Sequence, residues 1–106
     1  MAQDAPLGVF EEQVMVAILR TGEDAYGMTI RRAIEGLTGR DIAIGAVYAT
    51  LDRLEGKKLV ASKRRAAGGM SRRHFAVTRE GTRLLADTRA MHEKLWRGVR
   101  LELHRA

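Results

Sequence analysis

Apolar residues recur along this chain at a helical period in four stretches and at a strand period in one. Leu7, Phe10, Val14 and Ile18 form the first helical stripe, with Ala17 and Leu19 beside it. Met15 and Val16 widen that stripe, which predicts that part of the helix faces a partner subunit. Thr21 and Gly22 stop it, and residues 1–6 (MAQDAP) read as a short disordered lead in which Pro6 prepares the helix start. Asp24 is the expected N-cap of a second helix, whose buried stripe is Tyr26, Ile30, Ile34 and Leu37. Gly27 lets that helix pack closely, and Thr38 and Gly39 end it.

The third stripe lies in residues 45–60, GAVYATLDRLEGKKLV, where Val47, Leu51 and Leu54 fall at i, i+4 and i+7. Gly56 and the lysines after it end this helix, and Leu59 and Val60 open an extended segment. The opposite face carries Gly45, Ala46, Ala49, Asp52 and Arg53, with Tyr48 and Thr50 at its margins. A solvated helix face normally carries Glu, Lys and Gln. A small, nearly flat face with one long cation suits close approach to another surface, and the major groove of DNA admits one helix.

The period then changes to two. Over residues 59–77, Phe75 and Val77 point one way and His74 and Ala76 the other, so Phe75 and Val77 should anchor a hairpin to the core. Residues 66–71 (AAGGMS) are its tip, with Gly68 and Gly69 as the turn. Thr78 is placed to cap a last helix over residues 79–105. Its seam of Leu85, Thr88, His92, Leu95 or Trp96, Val99 and Leu103 repeats at 3–4 spacing, with Leu84 and Met91 widening it. So small a core cannot cover all of that seam, which argues for a homodimer. Phe10, Val14, Leu85, Met91, Leu95, Trp96, Val99 and Leu103 are the expected interface.

The expected fold is α+β, mainly α: a winged helix-turn-helix over residues 1–78, with a two-stranded wing, and a long C-terminal dimerisation helix over residues 79–106 in the same compact unit. At 106 residues the chain makes one domain, and 45% hydrophobic with 30% charged residues reads as globular. Charge sharpens the picture. The formal net charge of +6 makes a polyanion the natural partner. Residues 4–24 hold Asp4, Glu11, Glu12, Glu23 and Asp24 against Arg20 alone, whereas the hairpin concentrates Lys63, Arg64, Arg65, Arg72 and Arg73.

Together with the upstream DAYGMTIRRAIE and the downstream RRHFAVTREG, GAVYATLDRLEGKKLV resembles the PadR-type transcriptional regulators, in unbroken order from about residue 7 to about residue 85. The resemblance implies a winged-helix DNA-binding repressor, dimeric through its last helix and often released by a small molecule. It also marks one departure. The family usually has Ser where this chain has Ala43, so capping of the third helix is left to Asp41 or the backbone, at a loss of ~1 kcal/mol.

The DNA-binding candidates are therefore Gly45, Ala46, Tyr48, Ala49, Thr50 and Arg53 on the third helix, with Lys63, Arg64, Arg65, Arg72 and Arg73 on the wing. Arg53 is either a solvated cation or, as the resemblance implies, a fork onto guanine O6 and N7, and Tyr48 is either a core-rim residue or one whose hydroxyl reaches a phosphate. The wing cations need only charge and reach to meet phosphates. Arg31, Arg32 and Arg40 are either a solvated face or further phosphate contacts. Met91, His92 and Trp96 form a candidate site for a flat aromatic effector, against plain interface packing of Trp96.

Other chemistry finds little support. Cysteine is absent, and His74, His92 and His104 lack metal-ligand spacing, so neither metal nor cofactor is expected. No HExxH, Gly-rich phosphate loop or supported Ser-His-Asp set points to an enzyme. No apolar run approaches a membrane span and no signal peptide precedes the first helix, so a soluble cytoplasmic protein is expected. A protein-interaction winged helix and a non-specific nucleoid binder are the rival readings; the cationic wing counts against the first and fits the second.

Overall fold

The computed structural model describes residues 7–102. Along them run α1 (Val9–Thr21), a 3₁₀ turn (Gly22–Asp24), α2 (Gly27–Thr38), α3 (Ile44–Gly56), β1 (Val60–Ala67), β2 (Met70–Val77) and α4 (Arg79–Trp96). This is the mainly helical winged helix-turn-helix that the periodicities predict. The expectations for residues 1–6, including a helix start prepared by Pro6, and for the seam residue Leu103 lie outside the described residues.

α1 is the hub. It packs on α2, α3 and β2, and buries Val14, Met15, Ala17 and Ile18 completely or nearly so. At Val14 and Met15 the breadth of its stripe reflects those several neighbours rather than a partner subunit. Met15 and the interface candidate Val14 are both at 0% exposure inside the single chain and are unavailable to a second copy. Phe10 is half-buried against the same core.

Residues 22–24 turn as 3₁₀, so Asp24 is not the cap of α2; Tyr26 holds that position. The reason is a strand-like bond just before the helix, where the Ala25 carbonyl accepts the Phe75 N–H at 2.8 Å. That bond holds residue 25 extended and delays the helix to Gly27. Thr29 completes the start, its hydroxyl accepting the Tyr26 N–H at 2.9 Å. Ile30 and Ile34 are buried as expected, but Leu37 is 57% exposed because the last turn of α2 runs past the core.

α3 begins at Ala43 with no side-chain cap, and Asp41 does not supply one. The approach to it is held instead by Glu35, whose carboxylate accepts the Ile42 N–H at 2.9 Å and the Arg31 Nε–H at 3.3 Å. The Ile42 bond, ahead of an opposing desolvation and the Arg31 charge, draws the Glu35 pKa below its ordinary value. The two strands pair antiparallel from Val60↔Val77 to Ala67↔Met70. Gly68 and Gly69, at φ +57° and +81°, make the two-residue turn, which needs left-handed backbone at both positions. Phe75 is buried and Ala76 exposed, as the alternation predicts.

Thr78 caps α4 by accepting the Gly81 N–H at 3.0 Å. The helix is shorter than its apolar spacing implies, ending at Trp96, because the chain leaves helical geometry at Arg97 and Gly98 takes φ +78°. Val99 therefore stands beyond the helix, not on its seam. Leu84 and Leu85 pack on the core, while the distal turns leave Met91 59%, Leu95 66% and Trp96 52% exposed. The radius of gyration, 15.9 Å, exceeds the ~13 Å of a compact chain this long, and the longest dimension is 57 Å.

Candidate nucleic-acid interface

Val47, Leu51 and Leu54 seat α3 on the core and turn Gly45, Ala46, Ala49, Asp52 and Arg53 outward. Thr50 does not join that face. It is 3% exposed, with its hydroxyl accepting from Arg53 Nη2 at 3.2 Å, so the helix buries a wider arc than its Val and Leu stripe implies. Tyr48 sits at the edge, 38% exposed, with its hydroxyl and the ring carbon bearing it so near Gly27 that a Cβ there would clash with both. The closeness allowed by Gly27 is therefore to this one side chain, and it carries the phenol to the first turn of α2.

Arg53 is exposed but tethered. Its Nε donates to Glu11 Oε2 of α1 at 3.3 Å, and Lys57 Nζ donates to the same oxygen at 2.9 Å. Glu11 is 7% exposed, and its other oxygen accepts the Gly8 N–H at 2.9 Å. Burial pushes the Glu11 pKa up, but the Gly8 N–H, then Lys57 and Arg53, outweigh it and leave the carboxyl below its ordinary value. This triad spans 42 and 46 residues of sequence, and no local pattern announces it.

On the other flank, Arg73 reaches Asp52 Oδ1 through both terminal nitrogens at 3.2 Å and Glu55 Oε1 at 2.8 Å. The wing cations thus divide. Arg73 is engaged with α3, whereas Arg64 and Arg72 have no carboxylate partner among the described residues. Arg72 lies 4.4 Å above the Tyr26 ring, which in turn meets His74 edge-on at 5.5 Å. Lys63 and Arg65 are exposed, Arg65 donating to the Glu23 carbonyl at 3.1 Å. Between wing, α3 and the start of α2 opens a cleft of about 450 Å³ whose walls include Tyr26, Arg32, Tyr48, Arg64 and Arg72. Of the other candidate cations, Arg31 pairs with Glu35 and Arg40 is exposed.

The effector candidates are less gathered. Met91 and Trp96 are exposed on α4, but His92 Nε2 lies 3.1 Å from Glu12 Oε1 and ties α4 to α1. The described residues contain no group of acids and histidines able to hold a metal.

The family model described as transcriptional regulator PadR-like matches residues 15–87. The chain belongs to the PadR-like family. This PadR-like protein is accordingly a DNA-binding regulator of transcription and not an enzyme. A PadR family transcriptional regulator from Eggerthella lenta is similar at 29% identity and TM-score 0.66, over 85% of this chain and 83% of that one. A PadR-like regulator from Bacillus cereus shares the fold at 21% identity and TM-score 0.72, over 83% and 84%. The RosR protein of H. salinarum does so at 24% identity and TM-score 0.71, over 94% and 84%. No curated protein matches the chain. No described helix of this PadR-like protein is long and apolar enough to cross a membrane.

Proposed function

We propose that this PadR-like regulator is a repressor that binds a pseudo-palindromic operator as a homodimer, with one α3 in each of two successive major grooves. The observation that carries this reading is the small outward face of α3, Gly45, Ala46 and Ala49, flanked by the exposed cations Lys63, Arg64 and Arg65 of the wing. Ala46 and Ala49 suit apolar contact with thymine methyl groups, and the wing cations with Arg72 suit phosphates. Arg53 reads a guanine only by leaving Glu11. Tyr48, in the wall of the cationic cleft, contributes its hydroxyl to a phosphate.

Two copies join through Met91, Leu95 and Trp96 of α4, which are large apolar side chains left open in the single chain. A planar aromatic effector stacks on Trp96 beside Met91 and changes how the two α4 helices cross, releasing the DNA. Selection of bound duplexes from a random pool tests the core of this reading. The expected outcome is an inverted repeat with half-sites one helical turn, about 34–36 Å, apart. Duplexes recovered without a common motif would make the protein a non-specific binder instead.

A further inference from the structure

We infer that Arg73 is a positioning residue: it sets the wing against the recognition helix and does not contact DNA. The inference rests on the assignment of α3 and the wing to the DNA surface. Asp52 and Glu55 stand three residues apart on α3, on the side that meets the hairpin. Arg73, from β2, spans both, with Nη2 2.8 Å from Glu55 Oε1 and both terminal nitrogens 3.2 Å from Asp52 Oδ1. Its guanidinium carbon also lies 4.9 Å from the centre of the Phe75 ring, the side chain that anchors β2 in the core.

Glu55 extends the connection to β1 by accepting the Ser62 N–H at 3.2 Å and the Ser62 hydroxyl at 2.9 Å. One helical turn is thereby fastened to both strands of the wing. The Glu55 arm is the stronger one, since Asp52 is 63% exposed and Glu55 35%. The fork closes on Asp52 Oδ1 with both terminal nitrogens while Nη2 also reaches Glu55, a preorganised geometry that the single nitrogen of a lysine does not reproduce.

Charge decides the sign of the effect. Arg73 also borders the cationic cleft, at 30% side-chain exposure, but a turn toward a phosphate that broke its bonds to Asp52 and Glu55 would leave two carboxylates facing the polyanion. Held in place, it neutralises them beside its cross-strand neighbour Arg64, which is exposed and has no carboxylate partner among the described residues.

The test compares Arg73→Gln, Arg73→Lys, Glu55→Gln, the Arg73→Gln/Glu55→Gln pair and Arg72→Gln. Affinities for the selected operator and for random duplex are read across a salt series. Arg73→Gln should weaken operator binding by roughly tenfold with an unchanged salt slope, and the pair should bind no worse than either single variant. Arg73→Lys should not restore affinity, whereas Arg72→Gln should lower the slope by about one unit. A slope lowered by Arg73→Gln and restored by Arg73→Lys would overturn the inference.

A second measurement needs no DNA. Amide exchange across β2 and its pairing with β1 should quicken in both Arg73→Gln and Glu55→Gln, leaving aside the Ser62 amide that Glu55 holds directly, and unchanged exchange in both would overturn the inference by itself. A wild-type chain that binds no duplex, yet shows the coupled exchange, would sink the DNA assignment and leave the strut standing.

Discussion

Glu11 shows how one buried carboxylate can decide what two cations do. It takes the Gly8 N–H on one oxygen and Arg53 and Lys57 on the other, joining the start of α1 to the end of α3. Glu11→Gln should destabilise the protein by about 1–3 kcal/mol, since hydrogen bonds to charged groups are the stronger ones. The sign of the pH effect follows from the lowered folded-state pKa. Such a group stabilises fully above its unfolded pKa of about 4.3, and that stability is lost as pH falls through the lower folded value. Urea midpoints measured from pH 7 to pH 3 should fall less steeply in Glu11→Gln than in the wild type. Parallel curves would remove Glu11 from the acid response. The same variant loosens both Arg53 and Lys57, so a guanine preference that strengthens in Glu11→Gln and is lost again in Glu11→Gln/Arg53→Ala belongs to Arg53.

At the scale of elements, glycines with the same helical surroundings have opposite roles. Gly36 in α2 faces open space, and a Cβ there meets nothing within 4 Å. Gly36→Ala should therefore stabilise the chain by about 0.5–1 kcal/mol through lost backbone entropy of the unfolded state. Gly81, in the first turn of α4, would drive a Cβ into the Leu59 carbonyl oxygen and to 2.8 Å from Val77 Cγ1. Gly81→Ala must push α4 off the hairpin and should cost more than the Gly36 change gains, about 1–3 kcal/mol. Thermal unfolding of the two variants should move Tm in opposite directions. Equal shifts would mean that α4 is not held against Leu59. The same crossing is stitched by Thr78, whose hydroxyl donates to the Lys58 carbonyl at 2.8 Å while its N–H donates to the Leu59 carbonyl at 3.0 Å.

For the whole molecule, the elongated shape and the bare distal end of α4 belong together. A helix that carries Met91, Leu95 and Trp96 beyond the core gains little until a second copy covers them. Sedimentation at micromolar concentration should give a dimer, and replacing Leu95 and Trp96 with Ala should give a folded monomer with weakened operator binding. A stable wild-type monomer would defeat the two-fold reading. In the dimer, a planar aromatic ligand should quench Trp96 emission over the same concentrations that release operator DNA, with a coupling of about 1–3 kcal/mol. If another ligand class releases the DNA while Trp96 emission stays constant, the sensing site is elsewhere.

Sequence by itself determined the four helices, the hairpin with its Gly68–Gly69 turn, the outward face of α3 and the cationic wing. Each is written in near neighbours, as a period of 3.6 or 2, a turn dipeptide or a local run of charge. Tertiary structure decided what depends on packing between distant segments. It buried Val14 and Met15 on the hub helix, where a wide stripe alone suggests an interface. It moved the start of α2 from Asp24 to Tyr26 through a bond from Phe75 to Ala25, and it took Thr50 off the groove face. It also ended α4 at Trp96, where apolar spacing continues but the backbone does not. Above all it sorted the cations. Arg53, Lys57 and Arg73 look like any other basic residues in a list of charges, and only the approach of Glu11, Asp52 and Glu55 separates them from Arg64 and Arg72. A charge is legible in the sequence, but its partner is fixed by a contact that spans from 18 to 46 residues of chain.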